Sequence, residues 1–284
     1  MLLQTRTVEK PWGKDKLPPP FHTPAGRRIG EIWFEPPLDL PQLLVKYIFT
    51  SDKLSVQVHP SDAQTEAAGL GRQGKEECWL VIDAEPGATL GIGFDKPVDA
   101  ETMHRAALDG SIEQMLVWHP VRAGDFFYIP ANTVHAIGGG CSIIEIQQNS
   151  DITYRLYDYG RPRELHLDHA IAVAKGEPHE AQFRRHVPAG DVTLVDGPYF
   201  RLDQVEGLPI CEQAAPYRGC LLVIPRSGKA CVEDEPVLPG QCALAHSIDD
   251  VVFDPHGSCL IAQPCPVGPA KKATSLSTPA PASR

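Results

Sequence analysis

A chain of 284 residues with 26 Lys and Arg against 36 Asp and Glu has a formal net charge of −10, which argues against nucleic acid as a partner. Its apolar fraction of 42% and charged fraction of 22% are those of a soluble globular protein, with length for one large or two ordinary domains. No apolar run reaches membrane-spanning length and Met1–Arg6 lacks a hydrophobic signal core, so a cytoplasmic chain without a membrane partner is expected.

Twenty-eight prolines and 24 glycines punctuate short apolar runs, the texture of an all-β chain. In chain order the runs predict strands over Arg28–Phe34, Leu43–Phe49, Leu54–Val58, Glu77–Ile82, Thr89–Ile92, Asp125–Ile129, Ser142–Ile146 and Thr153–Tyr157. Pro18-Pro19-Pro20 and Pro36-Pro37 read as loops between the first of them. One helical insertion interrupts the pattern. Asp99 caps a helix over Asp99–Ala107, Asp109-Gly110 ends it, and Ser111 caps a second one over Ser111–Val117.

The segment 174–190, with Lys175-Gly176-Glu177-Pro178 and Pro188-Ala189-Gly190, reads as a linker. It divides the chain into residues 1–180 and a second β domain over residues 190–263. Strands are expected there over Val192–Val195, Phe200–Val205, Gly219–Ile224, Ala230–Val232, Gln241–Ala245 and Cys259–Ala262. Residues 264–284, rich in Pro, Ala, Ser, Thr and Lys, are expected to form a disordered tail. The eight cysteines form no Cys-x-x-Cys pair, which favours buried reduced thiols over a thiolate metal site; a Cys211–Cys220 pair stays open.

Four side chains able to bind a metal fall on strands or strand ends of the first half: Gln57, His59, Glu77 and His135. Gln57 and His59 lie two apart, hence on one face of a strand, and Pro60 ends that strand. Glu77 opens the apolar run Cys78–Ile82, where a carboxylate is costly unless paired or metal-bound. His135 follows the Ile-Pro-Ala-Asn-Thr turn. Two imidazoles, a carboxylate and an amide oxygen suit one Zn²⁺ that keeps a coordination position open. The second half carries no matching set and reads as metal-free.

Leu54–Pro60, Gly74–Trp79, Gly124–Ile137, Glu145–Arg155 and the early Pro11-Trp12-Gly13 resemble the type I phosphomannose isomerases, in their short bacterial form, from about Val8 to Ala174. The resemblance implies a cupin (jelly-roll) barrel, a degenerate second barrel after it, and zinc bound by Gln57, His59, Glu77 and His135. It implies an aldose–ketose isomerase that interconverts mannose 6-phosphate and fructose 6-phosphate through a cis-enediol. Glu76 stands where the family more usually has a small or cyclic residue, and Glu77 is chosen over it from its place in the motif. Larger members carry a histidine shortly after a segment like Gly30-Glu31-Ile32-Trp33. This chain runs Phe34-Glu35-Pro36, so no role transfers from it.

Around the ligand set, Lys75 lies two residues from Glu77 and either binds substrate oxygens, moves a proton, or is simply solvated. Arg155 shares a strand face with Thr153 and Tyr157, where it forks onto phosphate or enediolate, or makes a cross-strand ion pair. Glu145 aligns with a family active-site glutamate, and the catalytic base is left between Glu145 and Lys75. Ser55, on the face of Gln57 and His59, is a candidate phosphate donor. His166 and His169 read as a solvated helix face before a second metal pair. Three functions follow in order: the isomerase with a sugar phosphate as partner, a metal cupin acting on another sugar or as an Fe²⁺ oxygenase, and a non-enzymatic sugar-binding cupin. Oligomeric state is not legible in the sequence.

Overall fold

The computed structural model describes residues 1–210 and 214–265. In chain order its first half contains β1 (Thr5–Lys14), β2 (Ile29–Phe34), β3 (Leu43–Phe49), β4 (Val56–Val58), α1 (Asp62–Ala67), β5 (Glu77–Ala84) and β6 (Thr89–Phe94). There follow α2 (Ala100–Asp109), α3 (Ile112–Met115), β7 (Leu116–Pro120), β8 (Asp125–Ile129), β9 (His135–Ile137), β10 (Cys141–Gln148), β11 (Tyr154–Tyr157), α4 (Leu167–Val173) and β12 (Arg184–His186). The second half contains β13 (Val192–Asp196), β14 (Phe200–Glu206), β15 (Leu221–Ser227), β16 (Ala230–Val232), β17 (Glu235–Val237), β18 (Ala243–Ala245), β19 (Val251–Phe253) and β20 (Ser258–Pro264).

Among the described residues the first half forms two sheets, β1-β2-β3-β10-β5-β8-β12 and β11-β4-β9-β6-β7, with every ladder antiparallel. The second half forms β13-β14-β20-β15-β18 and the small sheet β17-β16-β19. The all-β reading with a short helical insertion therefore holds.

The period of two along a strand decides what each half buries. On β3, Leu43, Val45, Tyr47 and Phe49 face a core shared with Phe200, Leu202, Leu222 and Leu260 of the second half. Between them Lys46 and Ile48 face the other way. On β5, Cys78 and Leu80 join the shared core, while Trp79 and Val81 join the interior of the first barrel. Phe126 and Tyr128 of β8 divide from Phe127 and Ile129 in the same way. The large sheet is thus covered on both faces, which is why β3 is buried at every position. The second half supports the wall behind the first barrel's interior.

Three expectations need correction. The segment 174–190 is no bare linker: β12 pairs with β8 through Arg184↔Phe127 and His186↔Asp125, and bridges at Gly93↔Pro178 and Thr133↔Lys175 fasten the rest. Ser111 makes no side-chain cap. Its own N–H instead donates to Asp109 Oδ1 at 2.8 Å, and the helix after it closes at Met115 so that Leu116–Pro120 can run as an edge strand beside β6. Pro264 belongs to β20 and not to the tail, with Pro264 opposite Phe200. Residues 266–284 of the tail and Cys211 lie outside the described residues. Asp99 does cap α2, accepting from Thr102 N at 2.7 Å, and Gly110 ends it at φ 83°.

The sequence pattern passes over β1. Thr5–Lys14 is largely exposed, charged and interrupted by Pro11, features tolerated because it is an edge strand with a register shift after Val8. Just before it, the Leu3 N–H donates to Cys242 O at 2.9 Å, so the chain's start zips onto the second half.

Candidate metal centre

Two cross-strand rows face each other inside the first barrel. On the smaller sheet Arg155 pairs with Gln57 and Gln57 with His135, which sets three candidate side chains abreast on β11, β4 and β9. On the larger sheet the row is Trp33, Lys46, Glu145, Trp79, with Gln147 opposite Glu77 one pleat further along. His59 enters from the end of β4. Its carbonyl accepts from Asn132 N at 2.8 Å, and Asn132 turns the chain toward His135 with φ 74°.

His59, Glu77 and His135 come together, 2%, 1% and 1% exposed, with ligand atoms all within 4.8 Å of one another. His135 Nε2 lies 3.3 Å from Glu77 Oε1, and His59 Nε2 lies 3.5 Å from Glu77 Oε2. A tetrahedron with zinc–ligand bonds of about 2.1 Å has edges of about 3.4 Å, so these separations fit one ion. The ring nitrogens on the far side are held by backbone: His59 Nδ1 donates to Ile152 O at 2.8 Å and His135 Nδ1 to Thr133 O at 2.9 Å. Those bonds put the proton on Nδ1 and aim each Nε2 lone pair inward, the way a backbone carbonyl orients a metal-binding histidine.

Glu77 supplies the strongest sign of fit. Neither of its buried carboxylate oxygens has a well-angled hydrogen-bond partner, although Lys75 Nζ stands 2.8 Å from Oε2 as an ion pair. Orphaned buried oxygens are costly unless a cation satisfies them. Gln57 lies beside these three. Its amide nitrogen is 3.3 Å from His135 Nε2 and its Oε1 accepts from Ser55 Oγ at 3.2 Å. A half-turn of the amide, which leaves its shape unchanged, would present the oxygen as the ligand atom. Among the described residues this is the one such group of His, Cys and carboxylate side chains.

Electrostatics agree with a site built to hold a cation. Burial, with Lys75 and His135 close by, holds the His59 imidazole far below its usual pKa, and burial likewise lowers His135, so both are neutral ligands. Burial alone would raise the Glu77 carboxyl, but Lys75 and His135 outweigh it and keep it ionised. Lys75 is lowered by burial yet raised overall by Glu77 and Glu145, and remains an ammonium, with Nζ 3.2 Å from His59 Nε2. Parity settles the two glutamates: Glu77 points inward, whereas Glu76 turns to the opposite side and bonds the Tyr128 hydroxyl.

A cavity of about 370 Å³ opens beside the cluster, with Ser55, Gln57, Lys75, Glu145 and Arg155 in its wall. Every candidate other than the buried His59, Glu77 and His135 therefore meets the same space. Glu145, 3% exposed, accepts from Trp79 Nε1 at 2.9 Å and from Lys46 Nζ at 3.2 Å. Ser55 gives its hydroxyl to Gln57. Lys46 and Arg163 also line the cavity and are residues the sequence reasoning missed. For Lys46 a signal existed: it is the one charged residue in the apolar strand Leu43–Phe49, and a buried ammonium there demands partners. His166, expected on a solvated helix face, precedes α4 with its ring in the cavity wall.

No protein-family model matches the chain. A mannose-6-phosphate isomerase of Streptococcus mutans serotype c is 40% identical over 186 residues, covering 62% of this chain and 58% of that protein. The chain thus spans a little over half the length of that relative. Mannose-6-phosphate isomerase ManA of Bacillus subtilis is 32% identical over 235 residues, covering 77% of this chain and 74% of that protein. Among solved structures, a mannose 6-phosphate isomerase from Bacillus subtilis superposes with a TM-score of 0.75 at 24% identity, over 92% of this chain and 98% of that one. A zinc-bound mannose 6-phosphate isomerase superposes with a TM-score of 0.68 at 15% identity, over 93% and 98%. These likenesses show the cupin fold, and the buried His-Glu-His cluster is one that can bind a single metal ion. Identity above 30% sustained over three quarters of the Bacillus subtilis ManA sequence makes this chain a member of the mannose-6-phosphate isomerase family.

Proposed function

We propose that the chain interconverts mannose 6-phosphate and fructose 6-phosphate with one zinc held by Gln57, His59, Glu77 and His135. The observation that carries this reading is the buried Glu77 carboxylate, paired on one side only with Lys75, facing two inward-aimed Nε2 atoms beside a polar cavity. Bound there, zinc supplies a Lewis acid that polarises the sugar's C1 and C2 oxygens. Residues 1–180 form the catalytic unit in this reading, and residues 190–263 brace its wall.

Glu145 is the group suited to move the proton between C2 and C1 through a cis-enediol. It lies in the cavity wall, and the Trp79 indole N–H and Lys46 ammonium fix its direction from behind. Positioned acid–base groups contribute about 10²–10⁴-fold to such steps. Lys75, ion-paired with Glu77, offers its remaining N–H groups to a sugar oxygen and balances charge developing there. Arg155, abreast of Gln57, reaches the other end of the sugar. The sugar phosphate is the proposed small-molecule partner.

The test is an assay of purified protein with mannose 6-phosphate, before and after chelation, with metal content measured in parallel. Activity that disappears with the metal and returns with zinc supports the reading. Full activity in metal-free protein overturns it. Binding of sugar without exchange of the C2 hydrogen into solvent would point instead to a sugar-binding cupin.

A further inference from the structure

The two halves of the chain enclose a second cavity, of about 410 Å³, on the face of the large sheet turned away from the metal centre. Tyr47 and Ile144, partners across the β3–β10 ladder, form its floor. They lie one residue along from Lys46 and Glu145, whose side chains point to the other cavity. Arg226 and Ser258 enter from β15 and β20 of the second half. Residues 18–21 close one side, against Gly240 at φ 85°. A Cβ on Gly240 would come within 2.7 Å of the Pro20 ring, so a side chain there would push this wall open.

Arg226 is the group in this wall that lacks a counter-charge. Its Nη1 donates to Gln204 Oε1. The Gln204 amide is fixed in that orientation because its Nε2 donates to Pro188 O at 3.3 Å and to Gly190 O at 3.1 Å. That partner is neutral. Glu206 is close enough to be felt, but its carboxylate accepts from the Gly190 N–H at 2.6 Å and forms no ion pair with the guanidinium. Burial accordingly pulls Arg226 below the usual guanidinium range, with Glu206 offsetting only part of the shift. A half-buried cation without an anion is costly. Among the described residues its Nε and Nη2 have no acceptor, and these two adjacent nitrogens are a pair that forks onto a carboxylate. Nearby, the Ser258 hydroxyl is buried without a hydrogen-bond partner.

The remaining lining narrows the ligand. Five of its residues are prolines, which bring no backbone N–H. The Phe21 ring packs 4.5 Å from that of Tyr47, and Ile82 and Ile144 continue the apolar surface. Inward donors are therefore few, enough for one small anionic group. Exposed Asp83 and Glu206 border the cavity and repel a second negative charge. We propose that this cavity binds an apolar monocarboxylate, with its carboxylate on Arg226 and Ser258 and its body against Phe21, Tyr47 and Ile144. The volume is that of a small-molecule site, and its place between two packed halves is a common one for such sites.

The experiment is calorimetric titration of the full chain with 2-naphthoate at neutral pH. Binding is expected at one site, and Arg226→Gln is expected to weaken it about tenfold or more. Arg226→Lys, which keeps the charge without the fork, loses less. 2-Naphthylmethanol offers the same rings without the charge and should bind the unaltered protein at least about tenfold more weakly. That comparison stands even if Arg226→Gln does not fold. Mannose 6-phosphate should leave 2-naphthoate in place. The proposal is overturned if 2-naphthoate does not bind the unaltered protein, if the alcohol binds equally well, or if folded Arg226→Gln keeps full affinity. Displacement by mannose 6-phosphate would also overturn it, by placing the naphthoate in the cavity beside the metal centre.

Discussion

Lys46 Nζ stands 3.2 Å from Glu145 Oε1, directly across the β3–β10 ladder, with both side chains largely buried in the cavity wall. The same ammonium donates to Gln147 Oε1 at 2.6 Å and lies 4.4 Å from the Trp33 ring centroid. Burial pulls the Lys46 pKa down, and the Glu145 carboxylate offsets part of that shift. Removing one partner leaves the other ionised without compensation, a loss of about 3–5 kcal/mol.

Lys46→Met is accordingly expected to lower the melting temperature and cut kcat by about 10²-fold, since Glu145 loses the group that orients it. Thermal melts and initial rates on one preparation check both. Unchanged kcat in a folded variant would remove Lys46 from the mechanism.

Glu77→Ala and His135→Ala are each expected to abolish stoichiometric zinc and isomerisation together. Metal analysis by mass spectrometry after gel filtration, paired with the mannose 6-phosphate assay, reads the outcome. A variant that keeps zinc would show that the remaining ligands suffice.

Ser55→Ala removes the hydroxyl that fixes the Gln57 amide, accepting from its nitrogen once the oxygen is turned toward the metal. Loss of such an outer-shell contact typically lowers metal affinity about 10–100-fold. Competition with a zinc chelator measures this. The effect should be far smaller in a Gln57→Ala background, because Ser55 acts through that ligand.

Stability should fall as pH drops from 6.5 toward 4. Burial lowers His179 to about 4, so the unfolded chain takes up its proton well before the folded one does. That difference amounts to on the order of 3 kcal/mol lost across this window, and the buried His59 adds in the same direction. Glu76 opposes it. Burial raises its carboxyl to about 7, so the folded state binds that proton first and gains stability as pH falls from 7 to 4.5. Urea midpoints at pH 7, 5.5 and 4.5 should therefore drop more steeply for Glu76→Gln than for the unaltered chain; an equal slope would contradict the assignment.

Gly74→Ala tests how closely the loop before β5 is placed. A Cβ there would sit 2.2 Å from the Asp62 backbone nitrogen, and the Gly74 N–H donates to Asp62 Oδ1 at 2.9 Å. The loop must shift, and Lys75 and Glu77 follow it. A loss of about 1–3 kcal/mol with reduced zinc affinity is expected, read by denaturant melts and zinc titration.

Much of the site was legible in order of residues alone. The two-residue spacing of Gln57 and His59, a carboxylate opening an apolar strand at Glu77, and His135 after a proline turn are local facts, because strand parity and the cost of burying charge are local physics. The strand runs were legible for the same reason, β3 and β8 to the residue. Where exposure replaced alternation, as in the edge strands β1 and β7, the pattern carried too little signal.

Tertiary structure decided the rest. Only the register of β10 between β3 and β5 brings Lys46, Glu145 and Trp79 abreast, and nothing within any one segment announces that row. Only the return of the loop after β11 sets Arg163 and His166 beside Arg155. Whether a lone polar residue in a strand is a liability or a partner depends on which strand lies next to it. Hydrogen-bonded ladders between segments 99 residues apart, such as Lys46 and Glu145, settle that question in three dimensions.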